Sequence, residues 1–77
     1  MKANDIFTKK LHYTLAIENE DIIIYSKFGQ QNKTLITLKI FKKNKSFYKE
    51  DELGNSRIIE FDELKAINKL MEEIQNG

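Results

Sequence analysis

The spacing of apolar residues in this chain changes once, and that change decides what it can fold into. Over residues 34–42 the sides alternate. Leu35, Thr37, Lys39 and Phe41 fall on one side, and Ile36, Leu38 and Ile40 on the other. That period of two belongs to a strand. Beyond Phe61 the spacing lengthens to three and four, through Leu64, Ile67, Leu70, Met71 and Ile74. That is one apolar face of a helix of about 14 residues. A chain with several strand patterns and one helical pattern must lay the helix on the sheet, because neither can bury its apolar side alone.

The other segments fit this frame. Leu11, Tyr13, Leu15 and Ile17 alternate with polar or small residues and predict a first strand. Residues 18–21 are polar and turn-forming. Residues 22–28 are β-branched and aromatic, a second strand. Gly29 opens a turn over residues 29–32, and residues 42–45 form a charged turn. Residues 46–50 extend a hairpin, 51–56 form a loop, and 57–60 read as a short last strand. Asp62 is placed as the helix N-cap, with Phe61 and Ala66 as a hydrophobic staple. Residues 1–9 show no sustained period and predict an N-terminal arm anchored by Ile6 and Phe7. The expected fold class is α+β: an antiparallel β-meander of four to five strands, then one C-terminal amphipathic helix packed on one face. Residues 1–77 form a single domain, with the arm at 1–9, the sheet at 10–61 and the helix at 62–75.

Catalysis finds little to work with. His12 is the only imidazole and there is no cysteine. A nucleophile needs a base beside it, and Ser26 and Ser46 sit in no such context. The three glycines, at 29, 54 and 77, form no phosphate cradle. The expectation is a non-enzymatic protein with no cofactor and no metal site. No apolar run approaches the roughly 20 residues of a membrane span, and no leader pattern opens the chain. With the absence of cysteine, these predict a cytoplasmic protein. A 77-residue core is small, and self-association is a common remedy, so a homodimer is expected. Twelve of the thirteen basic residues are lysine and isoleucine is abundant, a bias of AT-rich coding sequence that points to a phage or mobile element.

Charge is divided along the chain. Residues 1–49 balance at +6 and residues 50–77 at −5. On the basic side, Tyr25, Lys27, Lys39, Phe41, Lys42, Lys43, Lys45 and Tyr48 interleave cations with rings. Lysines neutralise phosphates and exposed rings stack on unpaired bases. These eight residues predict a single-stranded nucleic-acid surface, though the same rings would serve a dimer seam. The alternative is an inhibitor or accessory factor that binds a larger protein through an acidic region: Glu50, Asp51, Glu52, Glu60, Asp62 and Glu63. A third reading is an assembly subunit whose bare sheet face pairs with itself.

From Lys33 the layout resembles a known family. Residues 33–42 (KTLITLKIFK), a lysine-rich loop, and then residues 57–64 (RIIEFDEL) running into the helix are similar to the positive-cofactor-four transcriptional coactivators and their small bacterial relatives. The resemblance covers about half of the chain. It implies a dimeric β-β-β-β-α domain that binds single-stranded DNA with its sheet. It marks Lys39, Phe41, Lys42 and Lys43 as contacts and is silent on Tyr25 and Lys27.

Overall fold

The computed structural model describes residues 1–77. Five strands follow one another as β1 (Thr14–Glu18), β2 (Ile22–Phe28), β3 (Thr34–Phe41), β4 (Ser46–Asp51) and β5 (Ser56–Arg57). They pair antiparallel in sequence order, which is a β-meander. A helix, α2 (Phe61–Asn76), closes the chain, and a short one, α1 (Ala3–Asp5), opens it. The architecture is α+β, as the change in period predicts. No helix is long and apolar enough to cross a membrane.

The register assigns each side chain to a face. Tyr25 lies opposite Leu38, and Ile23 opposite Ile40. These four are buried with Ala66, Ile67 and Leu70 of α2, so this is the covered face. Ile24 lies opposite Lys39, and Lys39 opposite Tyr48. These point away from α2 and form a bare face.

Three expectations are corrected. The N-terminal arm is helical rather than without period, while Phe7 anchors it as expected. α1 runs on into a π-helical turn (Ile6–Lys10), and Ala3 and Phe7 are fully buried. The Phe7 ring stacks on Tyr25 with centroids 4.2 Å apart. Such a short helix is unstable alone; packing of Phe7 holds it. The second correction concerns β1. Its register shifts between Leu15 and Ile17, a β-bulge at Ala16. The extra residue moves Ile17 onto the bare face, while Leu15 stays on the covered one. Continuous alternation through Ile17 is therefore broken. The third is the helix start. Glu60 is the N-cap, two residues before Asp62, and the Glu60 N–H donates to Glu63 Oε1 at 2.8 Å. A carboxylate at the third helical position reaches back to the cap, half of a capping box.

Candidate binding face

The eight residues of the basic, aromatic set do not share one surface. Tyr25 is only 1 % exposed and belongs to the core. Its hydroxyl donates to Asn4 Oδ1 at 2.8 Å. Burial, with the charges of Glu18 and Glu73 adding to it, pushes the Tyr25 phenol up to about 12. Lys27 also lies on the covered side, with Nζ 4.6 Å from the Tyr13 ring centroid. Both are turned from the bare face because they have the same parity as Ile23 on β2.

Lys39, Phe41 and Tyr48 do come together on the bare face. The Phe41 and Tyr48 rings stack at 5.9 Å, and Lys39 Nζ lies 5.4 Å from the Tyr48 centroid. Lys39 also pairs with Glu50 at 3.3 Å. Tyr48 and then Glu50 hold the Lys39 ammonium above its ordinary range. Lys42, Lys43 and Lys45 belong to the β3–β4 turn, where Lys45 takes a left-handed φ of 55°. Lys42 turns to Glu18 at 3.9 Å, and Lys43 to Asp21 at 2.9 Å. Three of the six lysines and rings on this side of the molecule are thus cations already matched to a carboxylate.

The acidic set is dispersed further. Glu63 is 3 % exposed and lies under the start of α2. Glu50 is engaged with Lys39. Asp51 folds its own loop, accepting the Leu53 and Asn55 N–H groups, each at 2.9 Å. Those bonds, the Asn55 N–H foremost, hold its carboxyl below the usual range. Glu60 is the helix cap. Glu52 and Asp62 remain as exposed acids. This region offers no single acidic surface.

Sequence reasoning missed the apolar half of the bare face. Ile17 lies opposite Ile24, and Ile22 opposite Phe41. None of these belongs to the core or packs against it. A signal for this was in the chain. The run Ile22-Ile23-Ile24-Tyr25 is apolar on both sides, whereas a half-solvated strand alternates. The result is a sheet surface of Ile17, Ile22, Ile24, Phe41 and Tyr48. Its ionic groups, Lys39 and Glu50, neutralise each other.

His12 is exposed at a left-handed φ of 64° just before β1, and no three His, Cys, Asp or Glu side chains gather to hold a metal ion. No protein-family model, no curated protein and no solved structure matches this chain.

Proposed function

We propose that this protein is a non-catalytic binding module whose working surface is the bare sheet face and whose ligand is a protein surface. One observation carries this reading: the face is apolar, and its charges are internally paired. A phosphate-binding face needs cations free to replace counterions. A protein interface needs an apolar centre with satisfied polar groups. The composition of this face fits the second requirement better.

A second reading, single-stranded nucleic acid, is favoured by the Phe41–Tyr48 stack beside Lys39. Lys42 and Lys43 would then exchange carboxylates for phosphates. Glu18 and Asp21 are more than half exposed, so those pairs are cheap to open.

The two readings separate in one experiment. Tyr48 is replaced by a photo-reactive phenylalanine analogue and the protein is irradiated in cells. Crosslinks to protein are expected at position 48 and not at position 53, a loop site away from the face. Crosslinks to nucleic acid instead would overturn the protein reading, as would oligonucleotide affinity that falls steeply with salt and is lost in Phe41→Ala.

A further inference from the structure

We infer that the protein surface covering the bare face is the same face of a second copy. This deepens, and rests on, the reading of that face as a protein interface. The protomer exposes more area than its mass predicts. The chain exposes 5445 Å². A compact monomer of 9.1 kDa exposes about 4,900 Å² on the size scaling of globular proteins, leaving an excess of roughly 550 Å². A standard interface takes about 800 Å² from each partner, which is of the order of this excess. The excess belongs to the whole chain, and the face contributes to it through Ile17 and Tyr48, at 47% and 39% exposure.

Charge on the face suits a second copy as well. The face carries one cation and one carboxylate, Lys39 and Glu50, side by side. Under a two-fold axis such a pair is self-complementary, since the lysine of one copy approaches the glutamate of the other. A partner of strong single-sign charge gains nothing from a neutral face.

The edges of the sheet do not suit the other route to a β-protein dimer. Joining edge strands would need a long regular edge. β1 is broken by its bulge and β5 is two residues long; both features block edge pairing. Face-to-face packing remains. The two sheets would lie about 10 Å apart with strands inclined by about 30°, as in a β-sandwich. Ile17, Ile22, Ile24, Phe41 and Tyr48 would form its second core.

Light scattering on the full chain, from about 10 μM to 1 mM protein, tests this. A species of twice the chain mass is expected. Ile24→Lys places a charge at the centre of the seam, and the dimer dissociation constant should rise at least about tenfold. Leu53→Lys, on an exposed loop, should leave it unchanged. Should Ile24→Lys fail to fold, Ile17→Lys on the exposed edge strand carries the same expectation. A wild type that stays monomeric at 1 mM overturns the second copy; photo-crosslinks from position 48 to other proteins would then keep the interface reading alive. A dimer indifferent to both face variants overturns this face as its seam.

Discussion

Glu63 is a carboxylate with 4 % of its side chain exposed, and every bond that keeps it ionised is visible. Lys49 Nζ and the Glu60 N–H both donate to Oε1 at 2.8 Å, and the Tyr13 hydroxyl donates to Oε2. Burial pushes this carboxyl up; Lys49, Tyr13 and the Glu60 N–H together outweigh it and hold the group below its ordinary value. Burial, reinforced by Glu63, raises the Tyr13 phenol. A depressed carboxyl stabilises the fold above its unfolded value of 4.5, and that contribution is lost as pH falls through the lower folded value. Stability against urea should therefore fall as pH is taken below about 4.5, and Glu63→Gln should flatten that limb. Lys49→Met leaves a buried charge unpaired and should cost about 3–5 kcal/mol. Adding Glu63→Gln should recover part of that loss, which a double-mutant cycle would measure.

The elements differ in what holds them. The main apolar anchor of α1 and its π-helical turn is Phe7, which lies between Tyr25 and an edge-on Tyr13. The Ala3 N–H also donates to Glu73 Oε2 at 2.8 Å, tying the segment to the end of α2. Phe7→Ala should cost about 3–5 kcal/mol in denaturant unfolding, a large part of the stability of a domain this size. The β4–β5 hairpin depends instead on its loop. Gly54 sits at φ +82° with nothing within 4 Å of an added Cβ, so Gly54→Ala meets only backbone strain, about 1 kcal/mol. Gly29 is the reverse. Its φ is ordinary at −102°, and an added Cβ would come 2.8 Å from Leu35 Cδ1. Leu35 Cγ would lie at 3.0 Å as well, so the whole exposed Leu35 side chain must turn to another rotamer, which its exposure on the surface allows. Gly29→Ala should change the unfolding midpoint less than Gly54→Ala.

At the scale of the whole molecule, α2 and the N-terminal helical segment cover a five-stranded sheet on one side only. Twelve of the 77 residues are buried, a small core for a chain of this length. If stability comes partly from a second copy, the thermal midpoint should rise with protein concentration. Scanning calorimetry across a hundredfold concentration range checks this. Ile24→Lys should abolish the dependence while keeping the far-ultraviolet circular dichroism of the folded chain.

Periodicity carried the reading of the fold. The alternation at residues 34–42 assigned both faces of β3 correctly, and the three-four spacing after Phe61 placed α2, because each depends on residues adjacent in the chain. The N-terminal segment was illegible for the opposite reason. Ala3 and Phe7 are too few to show a helical period, and what buries them lies on β2 and α2. The sign of each charge was plain from composition, but whether it was spent was not: Lys39, Lys42, Lys43 and Glu63 meet their partners only across strands, between turns, or between helix and sheet. The sequence by itself therefore determined a meander with one closing helix, since local hydrophobic spacing specifies element type. Only the tertiary structure decided which side of β2 is covered, how the bulge at Ala16 turns Ile17 outward, and which charges remain free. Those depend on strand register and on pairing between residues distant in the chain, and one bulge reverses the assignment of everything after it.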